Sequence, residues 1–296
     1  MTTNMATTWA TGRGPIPRSL LAFLCLILIL SLTVYLTSWL RPLAYRIARE
    51  LARAHLLRQV AGLQTLPGEN FIVKYWAPDA DIAPIVLEAA EAAYQPITEA
   101  LGYAPSENTL VVIYPTREDL GASFGWSAQE SAMGVYWGGA IRVLSPKVWV
   151  DATSPAELSE VFKTMGPMAH EFTHLVLDYR TAGNYPRWFS EGLAQYQETR
   201  QGGVVWDDPA ADLNGQLYSL AELERFNNLP NQALAYRQAW SLVEYLAEEH
   251  GEDCLEQIVA ALAKGRSFRT ALARIGITSL SELEANWQDW LKQGMN

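Results

Sequence analysis

The sequence predicts an α+β domain carried behind one N-terminal membrane-spanning helix. Three observations lead there. Strand-like runs fill the first part of the body and helix-like periodicity fills the rest. An uncharged apolar stretch of bilayer length precedes both. A histidine–glutamate motif sits in the helical part.

Residues 1–18 read as an N-terminal tail. Ser19 to Leu40 contains no charged residue and includes the dense run from Leu20 to Leu30. A helix of about 20 residues spans a bilayer core. Arg18 and Arg41 bracket the run, and Tyr35 and Trp39 sit where interfacial anchors belong. A cleaved signal peptide is the alternative. Against it, the run is long, and Thr37-Ser38-Trp39-Leu40-Arg41 lacks a small-x-small cleavage pattern. The expectation is a single-pass membrane protein that meets the lipid bilayer through Ser19–Leu40. Leu43, Ile47, Leu51 and Leu57 follow at helical spacing among Arg46, Arg49, Arg53 and Arg58. This pattern predicts a basic amphipathic helix over 41–64, lying on the membrane surface. His55 falls beside the apolar face and reads as a filler.

Charge divides the chain unevenly. Residues 1–58 hold seven Arg against one Glu, a net +6, whereas 59–296 hold 15 Lys and Arg against 31 Asp and Glu, a net −16. An acidic body without a basic stripe excludes nucleic acid as a partner. Cys25 lies in the apolar run and Cys254 far from it, which excludes a disulfide framework and a cysteine metal site.

The body is expected over 65–296. Thr65-Leu66-Pro67-Gly68 reads as a turn cluster and a domain boundary. Phe71–Tyr75 reads as a strand. Ile82–Leu101 reads as a helix that Pro96 would kink or end early. Thr109–Tyr114 is a buried-strand run, and Thr116 caps a short helix reaching Phe124. Met133–Leu144 has strand character, with Gly138-Gly139 as a turn or bulge. Ser154-Pro155-Ala156-Glu157 has the cap, proline and acid of a helix start. Helices follow over Leu234–His250, Cys254–Ala263 and Phe268–Ile275. Ser279 caps a last one ending near Leu291.

His170-Glu171-Phe172-Thr173-His174 is H-E-x-x-H. On a helix both histidines share one face and can reach one ion. Glu171 sits about 100° around the helix, beside the ion without ligating it. A hydrolytic zinc site needs three protein ligands and one open position. Glu191, in Trp188-Phe189-Ser190-Glu191-Gly192-Leu193-Ala194-Gln195-Tyr196, is the third candidate. Sixteen residues separate it from His174. That length lets the first helix end near Gly183, turn at Asn184-Tyr185-Pro186, and return antiparallel. Gly192, lacking a side chain, would let the two helices approach closely. An acid on so apolar a segment needs a partner.

These residues resemble a family. H-E-F-T-H followed by R-W-F-S-E-G-L-A-Q-Y looks like the gluzincin metallopeptidases, specifically bacterial peptidase MA-like domains. Its W-x-x-E-G-x-A-x-Y segment corresponds to Trp188, Glu191, Gly192, Ala194 and Tyr196. The helix around Ala235–Leu246 and the C-terminal helix holding Trp287 are also similar, so that the likeness covers roughly residues 70–292. It implies a zincin-like domain: a small twisted sheet, an active-site helix and a helical C-terminal lobe. It implies one catalytic Zn2+ on His170, His174 and Glu191, and a peptide or protein substrate in the cleft between sheet and lobe. A sheet edge that pairs with substrate is implied too, either Met133–Tyr136 or Ala140–Leu144. The exopeptidase signature of the large aminopeptidases is not visible, so an endopeptidase is expected.

In such a site Glu171 serves as general base, taking a proton from the attacking water and passing it to the leaving amine. The oxyanion needs a further donor. Tyr236 is the first choice, with Tyr179, Tyr185 and His250 behind it, and a core tyrosine is the alternative for Tyr236. Asp178, one turn after His174, is either an acceptor that orients a ligand histidine or a surface acid. A contrasting reading of the whole chain is a membrane-tethered binding or assembly module with structural zinc or none. Such a module has no need of Glu171. A zinc hydrolase acting on a non-peptide substrate is a third. For topology, Arg13 and Arg18 upstream against five downstream arginines place the body in the cytoplasm. The family resemblance places it outside, which is the expectation carried forward.

Overall fold

The computed structural model describes residues 18–126, 132–202 and 208–294. The side chains of 18–25, 29–39 and 209 lie outside that description, and so does most of the expected Ser19–Leu40 span. Among the described residues no helix is long and apolar enough to cross a membrane. The chain divides into two compact units, Met1–Leu43 and Ala44–Asn296. Helix α1 covers Arg18–Gln59 with Pro42 inside it, so its residues from Ala44 onward belong to the larger unit.

A sheet follows the helix in that unit. Its strands are β1 (Gln64–Pro67), β2 (Phe71–Tyr75), β3 (Thr109–Tyr114), β4 (Gly134–Trp137) and β5 (Ala140–Leu144). Their order is β1-β2-β3-β5-β4. The central pairs β2–β3 and β3–β5 are parallel, and both edges pair antiparallel. Between strands lie α2 (Ala83–Ala100) and α3 (Arg117–Ala122). Thr116 caps α3 by accepting from the Asp119 amide. Helix α2 runs through Pro96 because Val86, Ala90, Ala93 and Ile97 are buried along one face. That packing outweighs the hydrogen bond proline removes.

Within the Thr65–Gly68 segment, Thr65, Leu66 and Pro67 belong to strand β1, and the turn begins only at Gly68. Proline carries no amide donor, but Pro67 lies on the edge strand β1, where no ladder bond is lost to a further neighbour. The turn spans Gly68 to Phe71, closed by the Gly68 amide donating to the Phe71 carbonyl at 2.8 Å.

Strand alternation splits the sheet into two faces. Phe71, Val73, Val111, Ile113, Ile141 and Val143 join the main core. Leu110, Val112, Tyr114, Ala140 and Leu144 face the other way. The second face is covered by Leu120 and by Leu56 and Val60, from the end of α1 and just beyond it. The compact body therefore starts near Ala44 and includes the basic helix, not at Thr65.

The rest is helical: α4 (Pro155–Met165), α5 (Met168–Thr181), α6 (Arg187–Gly202), α7 (Leu220–Leu223), α8 (Gln232–His250), α9 (Asp253–Ala263), α10 (Phe268–Leu272) and α11 (Leu280–Gly294). Ser154 caps α4 by accepting from the Glu157 amide. Helix α5 packs on α2, on the β4–β5 hairpin and on α6, and α6 packs in turn on α8. The architecture is a mixed α+β body with a small sheet and a helical C-terminal part.

Candidate metal centre

Helix α5 ends where Ala182 takes a left-handed conformation (φ 54°) and Gly183 follows at φ 72°. The chain turns through Pro186 and re-enters as α6 against α5. This return brings Glu191 to the two histidines. His170 and His174, one helical turn apart, point their Nε2 atoms at a common position, 3.1 Å from each other. Glu191 Oε2 lies 3.5 Å from His170 Nε2 and 3.4 Å from His174 Nε2. One donor atom from each of the three residues falls within a 4.8 Å cluster.

Gly192 faces the other way. The two motif helices were expected to close over it, but the helix it admits is α8: an added Cβ would run into the Ala239 carbonyl oxygen, far inside van der Waals contact, and meet Val243 Cγ2 at 2.9 Å. A backbone carbonyl in a packed helix cannot yield. Gly192→Ala is expected to cost about 3 kcal/mol, the upper part of the usual overpacking range. Urea unfolding of the metal-free protein checks this, and an unchanged midpoint would show that α8 can move.

The donor set suits a metal. Glu191 is 1% exposed. Arg187 Nη2 stands 2.6 Å from its Oε1 as an ion pair, yet no donor is aligned to hydrogen-bond that oxygen. Arg187 engages Oε1, and Oε2 faces the two histidine Nε2 atoms, where a buried carboxylate favours a cation. The histidines are oriented from behind. His170 Nδ1 lies 3.1 Å from Glu198 Oε2, and His174 Nδ1 lies 2.8 Å from Ser190 Oγ. With each Nδ1 engaged outward, each Nε2 is left for an ion. Two imidazole nitrogens and one carboxylate oxygen form a donor set that could hold a metal ion.

The electrostatics agree. Burial works to raise the Glu191 pKa, but the His174 charge and hydrogen bonds from both histidines hold it well below the usual carboxylate range. Burial pushes His170 down, and its bonds to Glu191 and Glu198, with the charge of Glu171, carry it well above the ordinary value. The pocket therefore favours a cation even without a metal.

Glu171 lies beside this cluster and is 7% exposed. Burial raises its pKa, while the charges of His170 and His174 oppose that. Its Oε2 accepts the Tyr136 amide at 2.5 Å. A cleft of about 350 Å³ opens onto the site, lined by Met133, Gly134, His170, Glu171, Glu198 and Tyr236 among others. Burial, then the Glu191 charge, pushes the Tyr236 phenol up to about 12, so it remains a donor at neutral pH. The alternatives lie elsewhere. Tyr179 sits under the Arg49 guanidinium. Tyr185, though it feels the charges of Asp178 and Glu191, does not line the cleft. His250 packs edge-on against Tyr245 at the far end of α8.

Asp178 is neither a surface acid nor an acceptor for a ligand histidine. It is 1% exposed, and its carboxylate is occupied by Tyr45, Arg49 and Tyr136. The reason is rotational: the Nδ1 atoms turn toward α6, where Glu198 and Ser190 wait, and Asp178 looks toward α1 and β4. Glu198 escaped the sequence reading although it stands seven residues after Glu191, two turns along one helix face.

A family model described as the peptidase MA superfamily matches residues 89–293, well over half of the chain. A search of curated proteins finds no match. The matched span contains both motif helices and the lobe that closes on them, and on that ground the chain belongs to the peptidase MA superfamily.

Proposed function

We propose that this protein is a zinc-dependent endopeptidase, tethered to a membrane through Ser19–Leu40 with its body outside the cytoplasm. The observation that carries the reading is the convergence of His170, His174 and Glu191 beside a buried Glu171 in an open cleft. A binding module would have no need of a general base there.

When bound at these three residues, zinc supplies Lewis acidity and lowers the pKa of water. Glu171 takes the proton of the attacking water and hands it to the leaving amine. The Tyr136 amide holds Oε2 of Glu171 and leaves Oε1 for that transfer. Substrate lies along β4, the outermost strand, whose Gly134 lines the cleft. An extended peptide adds there as a further strand. Tyr236 donates to the developing oxyanion.

Two measurements test this together: elemental analysis for zinc in the full chain, and hydrolysis of a denatured protein with and without chelator. One zinc per chain and chelator-sensitive cleavage are expected. Stoichiometric zinc without cleavage of any peptide would return the weight to a tethered module. Tyr236→Phe is expected to lower kcat about a hundredfold, as loss of one oxyanion donor does, with KM and zinc content held. Unchanged kcat would make it a core tyrosine. A reporter enzyme fused after Asn296 that is active only in the cytoplasm would overturn the orientation.

A further inference from the structure

The basic helix after the apolar run does more than follow it. Arg49 Nη1 donates to Asp178 Oδ2 at 3.1 Å, and the Tyr45 hydroxyl donates to Oδ1. Tyr136 OH donates to the same Oδ2 at 2.6 Å. Tyr136 thus clasps α5 twice: its amide holds Glu171, and its phenol holds Asp178 seven residues on. Those points lie about 10 Å apart along the helix.

A second set of contacts is independent of Asp178. The hairpin between β4 and β5 turns at Gly138 and Gly139, with φ of 61° and 81°. That turn abuts α1. A Cβ on Gly138 would come 2.8 Å from the Ala52 Cβ, and one on Gly139 would come 3.4 Å from Arg49 Cγ. Arg49 is itself buried, its guanidinium stacked 3.6 Å from the centre of the Tyr179 ring. Among the described residues strand β4 pairs on one side only, with β5. Its position against α5 therefore depends on what holds its turn and its tyrosine. The residues supplying that hold, 45 to 53, lie outside the matched span of 89–293.

We propose that Tyr45 and Arg49 are positioning residues for the hydrolytic site, holding β4 and the backbone donor to Glu171 in place through Asp178 and Tyr136. The inference rests on the peptidase reading above. None of the three metal-ligand atoms takes part in this network, so loosening it acts on turnover and not on metal retention. The basic helix is then a component of the enzyme, and the segment joining the body to its tether bears on activity.

The test uses the full chain in detergent: wild type, Arg49→Ala, Tyr136→Phe, the double variant and Arg49→Lys. Tyr136→Phe keeps the backbone amide and removes only the hydroxyl. Zinc is expected to stay at one per chain throughout. Each single variant should lower kcat about tenfold, in the range seen when outer partners of a metal site are removed. KM should move less than about twofold, and the double variant should be no slower than the worse single, because residues acting through one shared group are not additive. Arg49→Lys should recover part of the loss. Amide hydrogen exchange supplies a readout that needs no hydrolysis: Tyr136 should exchange faster in Arg49→Ala, with β5 unchanged. Losses that multiply to about a hundredfold would mean two independent sites and would overturn the proposal, as would unaltered exchange at β4. If the wild type holds zinc but cleaves nothing, the peptidase reading fails, and the exchange result alone decides the network. Should Arg49→Ala fail to fold, Tyr136→Phe and Arg49→Lys carry the same comparison.

Discussion

Glu171→Gln is expected to retain one zinc per chain and to lose about 10³-fold in kcat, within the range assigned to general acid–base groups. The argument is geometric. Glu171 contributes no atom to the donor cluster of His170, His174 and Glu191, so metal retention does not depend on its charge. Its Oε2 accepts from the Tyr136 amide. A glutamine carbonyl can accept the same bond, so β4 stays in register with α5. What glutamine lacks is a second oxygen able to take a proton. Elemental analysis and single-turnover hydrolysis on one preparation check both halves. Full activity with full zinc would remove Glu171 from the role of base and leave the cleft without one.

Glu191→Ala acts on the other half of the chemistry. It is expected to weaken zinc binding by more than about a hundredfold, since even the outer partners of metal ligands cost 10–100-fold when lost. Hydrolysis would fall with the metal. A second sign separates this from general damage. Wild type should melt lower when chelator is added, because a ligand bound to the folded state alone stabilises it by mass action. Glu191→Ala should show no response to chelator. A variant that still holds zinc, and still responds, would mean that the ion uses another third ligand.

Much of this was legible in the sequence, for reasons that can be named. Thr116 and Ser154 were readable as caps because a cap is a contact between residues three apart. The meeting of His170, His174 and Glu191 was readable because two of them share one helical turn and the third sits in a distinctive segment. Glu198 was within reach of the same reasoning, two turns beyond Glu191 on α6. The Thr65–Gly68 segment misled because proline ordinarily signals a turn, and only the tertiary fold reveals that β1 is an edge. The partners of Asp178 were out of reach altogether. Tyr45 and Arg49 lie 133 and 129 residues away along the chain, and no local periodicity encodes a meeting at that separation. Gly192 shows a subtler limit. Its smallness announced a close neighbour but not which neighbour, and α8 follows 40 residues later.

The covering of the second sheet face by Leu56 and Val60 has a practical side. A version trimmed at residue 60 would lose Leu56 and Val60 from the cover of Leu110, Val112 and Leu144, leaving Leu120 and its neighbours to shield an apolar strand surface. It is expected to be less soluble than a version that keeps both residues. A shortened form that keeps the contacts of Tyr45 and Arg49 with Asp178 has to begin ahead of Tyr45. That boundary coincides with the start of the larger compact unit, Ala44–Asn296.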